Sequence, residues 1–526
     1  MASVAAMVRG FSNEPVADFR VEEKAQEMRA AIAKARSELG REYDLVIGGR
    51  RVRTSEKIHS LNPAHPSEIV GIHQRAGHEQ VEPAMQAALH AFEGWKNVTL
   101  EQRAEIVFKV AEIMRRRKPE FNAWMVLEVG KNWDEAEADT CEAIDFCELY
   151  ARTALHLAEA EPLVQLPGER DSLRYIALGV GAVIAPWNFP LAILCGMTMA
   201  SIVSGNTVVV KPSSDAPTVA AKFFEALEEA GVPAGVVNFC PGSGATFGHA
   251  LVDHPKMRFI AFTGSRDVGL DIHLRAAHLQ PGQSWIKRTI LEMGGKDSII
   301  VDADANLEAA VDGVAASAFG FQGQKCSACS RAIVEDKIYV PFMQKLKERV
   351  SRIRLGDPVD NAAMGPVINE GAMKSILKYI EIGRREGRAV AGGTRASGDG
   401  FFIEPTVIAD VPAGARIAQE EIFGPVLAVI KSMDFDHALR IANNTEYGLT
   451  GAVYTSSADK IERAKSDFHV GNLYINRKCT GAVVGAHPFG GFNMSGTDSK
   501  AGGADYLYLF TQAKSIGEKI QPAGTR

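Results

Sequence analysis

The chain has 526 residues, 46% of them hydrophobic and 23% charged, and a net charge of -6. That length exceeds one compact core and suggests about two to four domains, while the mild acidity offers no footprint for nucleic acid or an anionic membrane. Seven cysteines, an odd and sparse count, do not look like a secreted disulfide scaffold. The first residues also lack the apolar core of a secretory signal, so a cytoplasmic setting is expected.

In chain order, the first 160 residues read mostly as helix. "VEPAMQAALHAFEGW" and "AEIVFKVAEIM" carry apolar residues at helical spacing. The basic run "RRRK" closes the second of these helices, where cations meet the negative end of the helix dipole. "LVQLPGERDSLRYIAL" (163–178) places a Pro-Gly turn between two strand-like arms and predicts a hairpin. Residues 180–270 alternate strand and helix: "GAVIAP", "LAILCGMTMASIVSG", "TVVVKP", "TVAAKFFEALEEAG", "GVVNFCPG", "RFIAFTG" and "SRDVGLDIHLRAA". Such alternation with Gly/Pro-rich turns is the signature of a doubly wound parallel sheet. The apolar run "LAILCGMTMASIVS" (191–204) is too short to cross a bilayer. A second strand–helix series starts at "DSIIVDADANLEAAVDGVAASAF" and runs to about residue 475, and "YLYLFTQAKSI" follows as an isolated late strand. A bilobal α/β enzyme with an accessory sheet element is predicted.

No phosphate-binding P-loop is present, and neither "GVGAVI" nor "PGSGATFG" completes a dinucleotide fingerprint. In "FTGSRDVG", Gly264 and Ser265 lie between a strand and a helix, where backbone amides can approach an anion; an ordinary capped turn has the same pattern. Lys211 of "VVVKPSSDAP" ends a strand, where open α/β sheets bind ligands. "FGFQGQKCSACSR" holds Cys326 and Cys329 at C-x-x-C spacing. A redox pair of that kind belongs after the first strand of a small domain, and a zinc site needs a second pair or close histidines, so both readings are weak and no metal is expected. A nucleophilic Cys326 needs a base and an oxyanion donor. Glu292 in "TILEMGGKDS", among apolar residues that would raise its pKa, and Asn188, held between the prolines of "APWNFP", can supply them.

"PWNFP", "GNTVVVKPS", "FTGS", "LEMGGK", "GQKCSA", "EEIFGPV", "NNTEYGLTGAV" and "PFGGFNMSG" stand in the order and spacing of the aldehyde dehydrogenase superfamily, which residues 40–515 resemble. "EADTCEAIDFCELYAR", "GQKCSACSR" and "DFHVGNLYINRKCTGAVVGAHPFGGFNMSGTDSKAGG" look like its 1-pyrroline-5-carboxylate dehydrogenase branch. The chain is too short to carry the proline dehydrogenase half fused to some members. The resemblance implies a Rossmann-like cofactor domain (1–160 and 180–290), an α/β catalytic domain (291–495) and a small β oligomerisation element (161–179 and 504–518), hence a homo-oligomer. It implies Cys326 as nucleophile, Glu292 as base for deacylation, and Asn188 with the Cys326 backbone N–H as oxyanion hole. Cofactor contacts would come from Pro186, Trp187, Lys211, Ser214, Gly264, Ser265, Glu421 and Phe423. The implied reaction is NAD-dependent oxidation of L-glutamate γ-semialdehyde to L-glutamate through a thiohemiacetal and a thioester. Alternatives are an aldehyde dehydrogenase of broader specificity and one that passes the acyl group to coenzyme A.

Two specificity elements complete the reading. Many strictly NAD-using relatives carry a Glu three residues after the strand-end lysine; here Ser214 stands there, so NAD is expected with some use of NADP. For the amino-acid head of the substrate, Gly481 and Ala482 can form a backbone anion nest, helped by the Ser327 hydroxyl. Phe189 and Phe489 would clamp the aliphatic linker, and Lys325 with Glu142 would support the pocket floor.

Overall fold

The computed structural model describes residues 10–157 and 163–520. The first seven-stranded sheet contains β1 (Leu45–Ile47), β2 (Arg50–Val52), β3 (Val180–Ile184), β4 (Thr207–Lys211), β5 (Val237–Phe239), β6 (Phe259–Thr263) and β7 (Arg288–Glu292). Its order is β7-β6-β3-β4-β5-β1-β2, with β3 to β7 mutually parallel and β1 and β2 added antiparallel at one edge. β3, β4 and all but the last residue of β6 are buried, so they read as continuous apolar runs rather than alternating ones. From β3 the chain moves to β4 on one side and later to β6 on the other. A crevice therefore opens beyond the carboxyl end of β3, where Pro186, Trp187 and Asn188 follow.

A second seven-stranded sheet holds β8 (Ser298–Val301), β9 (Arg331–Glu335), β10 (Arg388–Ala391), β11 (Thr406–Ala409), β12 (Val426–Ser432), β13 (Thr450–Tyr454) and β14 (Asn472–Ile475). The order is β10-β11-β12-β9-β8-β13-β14, parallel except for the β10–β11 pair. Helix α1 (Trp133–Leu157) packs against α2 (Ala192–Val203), whose residues are nearly all buried; the apolar run is a core helix. α3 (Pro217–Ala230), α4 (Arg266–Ala277) and α5 (Leu307–Phe319) are crossover helices at the expected places. Among the described residues no helix is long and apolar enough to cross a membrane.

Three expectations are corrected. Residues 41–74 are not helical but form five strands: Leu45–Ile47 turns back onto Arg50–Val52 and Lys57–Asn62 onto His65–Gln74, while Arg41–Tyr43 pairs with Gly71–His73 and Val46 with the remote Phe239. Local periodicity cannot register such partners. No hairpin forms over 163–178. Glu169–Ala177 is a single strand, and its antiparallel partner is Thr511–Lys519 at the far end of the chain; the part of the accessory element at 161–162 lies outside the described residues. The late strand starts beyond "YLYLF", which is a short 3-10 turn packed inward through Tyr506, Leu507 and Phe510.

Candidate active site

Cys326 sits on the loop between α5 and β9, reached through backbone that few residues adopt. Phe321 and Gln322 have φ of 47° and 58°, and Gly323 has φ of 68°. A Cβ on Gly323 would lie 2.3 Å from the Gly424 carbonyl oxygen, so this approach of two loops requires glycine. The strained turn is held by Gln322, whose Nε2 donates to the carbonyls of Gly130 (3.1 Å) and Pro366 (2.8 Å). Asn188 Nδ2 donates to the Gln324 carbonyl at 3.1 Å, tying the loop after β3 to the thiol loop. Underneath, Lys131 Nζ and Asp139 Oδ2 form a fully buried ion pair at 2.7 Å. Lys131 also lies over the ring of Phe189 at 4.0 Å, while Asp139 Oδ1 accepts from the Ala192 N–H at the start of α2. Asn188 is therefore set on a rigid base.

The Cys326 thiol is pushed well above the usual range, first by burial and then by the carboxylates of Asp297, Glu292 and Glu421. At rest it is a neutral thiol that requires a proton acceptor before it can attack. Glu292 ends β7. Its Oε1 accepts from Ser499 Oγ at 2.6 Å, while its buried Oε2 has no hydrogen-bond partner among the described residues. Burial pushes its pKa up to about 8, against the lowering effect of the Ser499 hydrogen bond. Such a carboxyl exchanges protons near neutral pH, as a general base must. Cys329 points elsewhere: its buried Sγ contacts the Arg331 carbonyl at 3.4 Å.

A cleft of about 900 Å³ runs along the carboxyl ends of the strands. It gathers Pro186, Trp187, Asn188, Lys211, Ser214, Gly264, Ser265, Cys326, Glu421 and Phe423, ten of the residues singled out from the sequence. Lys211 is buried, and its Nζ donates to the carbonyls of Pro212 (3.1 Å) and Gly242 (3.3 Å); burial lowers its pKa to about 8. Ser265 is the N-cap of α4 but its side chain caps no amide, which leaves its hydroxyl and the first-turn N–H groups for an anion. Glu421 Oε1 accepts from the Gly295 N–H at 3.1 Å. A Cβ on Gly294 would lie 2.1 Å from Glu421 Oε2, so only glycine admits this carboxylate. Phe423, at φ 57°, packs edge-on to Trp187 with ring centroids 5.5 Å apart. This donor set fits a dinucleotide: a cationic side chain and free helix amides for phosphates, and a carboxylate for ribose hydroxyls.

The remaining singled-out residues lie outside this cleft. Ser327 is buried, and its carbonyl accepts from Thr450 Oγ1 at 3.4 Å. Gly481 has φ of 75°, and its carbonyl accepts from Arg477 at 2.9 Å; Ala482 is half-buried beside it. Phe489 is half-buried and exchanges backbone hydrogen bonds with Ala501. Lys325 pairs with Glu135 at 2.7 Å rather than with Glu142. Those two glutamates share a face of α1 two turns apart, and Glu135 is the one within reach. Glu142 is pushed up to about 8 by burial and by Asp139.

Sequence reasoning missed Ser499, Asp297, Lys296 and Glu135. Asp297 is buried and accepts from the Thr450 N–H at 2.7 Å through Oδ1, while Oδ2 has no hydrogen-bond partner among the described residues. Lys296 Nζ is buried with no hydrogen-bond partner among the described residues, and burial, then the Arg331 charge, lowers its pKa to about 7. The charges adjoining Glu292 in "LEMGGKDS" were the one available signal for these two.

Residues 51–516 match the family model described as the aldehyde dehydrogenase family. The chain is 57% identical over 513 residues to the 1-pyrroline-5-carboxylate dehydrogenase of Geobacillus kaustophilus (strain HTA426), covering 97% of this chain and 100% of that protein. It superposes on the solved structure of 1-pyrroline-5-carboxylate dehydrogenase from Thermus with bound NAD with a TM-score of 0.96, at 52% identity, covering 97% of this chain and 99% of that one. A likeness with a TM-score of 0.96 and 47% identity extends to proline utilization A from Bdellovibrio bacteriovorus, covering 98% of this chain and 54% of that one.

Proposed function

The chain belongs to the aldehyde dehydrogenase family, and from that premise we propose that it oxidises L-glutamate γ-semialdehyde, derived from 1-pyrroline-5-carboxylate, to L-glutamate with NAD. One observation carries the reading: a single cleft joins the Cys326 thiol and the Asn188 amide to the Lys211, Ser265 and Glu421 cradle. Lys211 and Ser265 would hold the cofactor phosphates, Glu421 a ribose, and Pro186, Trp187, Gly264 and Phe423 its flanks. When bound, the nicotinamide supplies the acceptor for the hydride leaving the substrate carbon. Cys326, partly exposed on the cleft, gives its proton to water there; its Sγ then adds to the aldehyde carbon, and Asn188 with the Cys326 backbone N–H carries the oxyanion. Oxidation leaves a thioester on Cys326. Glu292 then takes a proton from the water that hydrolyses it, releasing the carboxylate and restoring the thiol.

Ser327, Gly481 and Ala482 are assigned to the amino-acid head of the substrate, Phe189 and Phe489 to its linker, and Lys325 with Glu142 to the floor, the Lys325–Glu135 pair adding to that support. We assign 1–160 and 180–290 to the cofactor domain, 291–495 to the catalytic domain, and 161–179 with 504–518 to an oligomerisation element. A two-stranded ribbon with free edges and exposed Val164, Leu166 and Ile176 favours pairing with a second copy. The cysteines, all free thiols, suit a reducing, cytoplasmic setting. Exposed Ser214 leaves room for a 2′-phosphate, so some use of NADP is expected.

The test compares kcat/KM for glutamate semialdehyde with that for an uncharged aldehyde of equal length. A large preference that falls on Ser327→Ala and on Gly481→Val supports the assignment. Parity between the two aldehydes defeats it.

A further inference from the structure

Residues 11–18 form neither helix nor strand, yet they are pinned as a strap along one face of α1, running against the helix direction. Phe19 meets Trp133 edge-on with ring centroids 5.5 Å apart, the Ala17 N–H donates to Glu137 Oε1 at 2.8 Å, and the Glu14 N–H donates to Asp145 Oδ1 at 2.7 Å. Trp133, Glu137 and Asp145 share that face. Beyond Asp145 the strap reaches a different part of the molecule. Asn13 Nδ2 donates one hydrogen to Asp145 Oδ2 at 2.8 Å and the other to the Val484 carbonyl at 3.0 Å. Phe11 lies against Gly485, where a Cβ would stand 3.0 Å from Phe11 Cε1. Asn13 is at the surface, but Asp145 and Val484, the two groups it joins, are buried.

Val484 and Gly485 end the loop that carries Gly481 and Ala482. Several of that loop's hydrogen bonds are internal: Arg477 donates to the carbonyls of Thr480 and Gly481, and the Val483 N–H donates to His487 Nδ1. The body of the protein holds the loop at its two ends, where the Cys479 N–H donates to Ser317 Oγ at 3.2 Å and the Gly485 N–H to the Gly502 carbonyl at 2.9 Å. Between those ends, among the described residues, Asn13 provides the hydrogen bond from outside the loop.

We infer that Asn13 is a positioning residue for substrate recognition: held by Asp145, it fixes the Val484 carbonyl and so sets the Gly481–Ala482 backbone against the amino-acid head of the substrate. The inference rests on the assignment of Gly481 and Ala482 to that head and adds what holds them in place. A nest of backbone N–H groups has no side chain that could adjust, so a shift of about 0.5 Å in the loop spoils it. Asn13 suits the task because its amide carries two donors and both are engaged. The effect is confined to the head of the substrate, since the thiol loop and Asn188 are held by Gln322, Lys131 and Asp139 instead.

Steady-state kinetics of the full chain with glutamate semialdehyde and with an uncharged aldehyde of equal length test this. Asn13→Ala should raise KM for glutamate semialdehyde roughly fivefold and leave kcat within about twofold, because the lost contact lies remote from the reacting carbon. For the uncharged aldehyde, kcat/KM should stay within about twofold, since no head occupies the nest. Asn13→Gln keeps both donors and should bring KM for glutamate semialdehyde back to within about twofold of the unmodified value. An equal loss with both aldehydes would mark a merely structural role and overturn the inference, as would a KM for Asn13→Gln no better than that of Asn13→Ala. A preference for glutamate semialdehyde that Asn13→Ala leaves intact overturns the inference alone. Parity between the two aldehydes in the unmodified chain overturns it together with the assignment of Gly481 and Ala482.

Discussion

Ser499→Ala isolates the proton-transfer role of Glu292 without touching the carboxylate. In the structure the Ser499 hydroxyl donates to Glu292 Oε1 at 2.6 Å, and this bond opposes the burial that lifts the Glu292 pKa to about 8. A buried hydrogen bond to an ionised group contributes about 1.5–3 kcal/mol, and 1.36 kcal/mol corresponds to one pH unit, so its loss should move the inflection of the pH–rate profile up by roughly one to two units. The ionised carboxylate is the working base, so the rate rises with pH through that inflection. At pH 7.5 the ionised fraction should fall from about a quarter to about 3% or less, slowing thioester hydrolysis by roughly 8- to 80-fold. Stopped-flow absorbance of reduced cofactor checks this directly. The variant should keep a full burst, show a slow steady phase, and recover speed as the pH is raised. A profile superimposable on that of the unmodified enzyme would refute the reasoning, as would a rate loss of equal size at every pH.

Cys326→Ala should abolish aldehyde oxidation while leaving NAD affinity near its original value, measured by titration; substantial retained turnover would refute Cys326 as the nucleophile. Glu292→Gln should remove the pH-dependent rise near pH 8 and leave the burst, which a pH series of single-turnover traces would reveal. Ser214→Glu should depress kcat/KM with NADP and spare NAD, because a carboxylate repels the 2′-phosphate; an equal loss with both cofactors speaks against it. Lys131→Met leaves Asp139 buried and unpaired beneath the Asn188 loop and should cost about 3–5 kcal/mol in denaturant unfolding.

Much of the chemistry was local in the sequence. A nucleophile on a Gly-rich loop, an amide between prolines, a lysine at a strand end and a serine before a helix each need only a few neighbouring residues to be recognised. The parallel sheet was equally legible, since buried strands are unbroken apolar runs and their crossover helices are amphipathic over three or more turns. Strands whose partners lie far away were not. Glu169–Ala177 pairs with Thr511–Lys519 across more than three hundred residues, and no local turn signal could distinguish that from the hairpin its Pro-Gly suggested. The ion pairing of Lys325 was likewise decided by the tertiary fold, because Glu135 and Glu142 are equivalent on a helical wheel and only the docking of α1 selects between them. Ser499 is the clearest case. It lies within the family-like stretch ending "GTDSKAGG", where nothing sets it apart from the neighbouring hydroxyls of Ser495 and Thr497, yet folding carries it 2.6 Å from a carboxylate 207 positions away, where burial makes one hydroxyl a determinant of proton affinity. Covalent chemistry is written in residue types, whereas the field around those residues depends on what the fold packs against them.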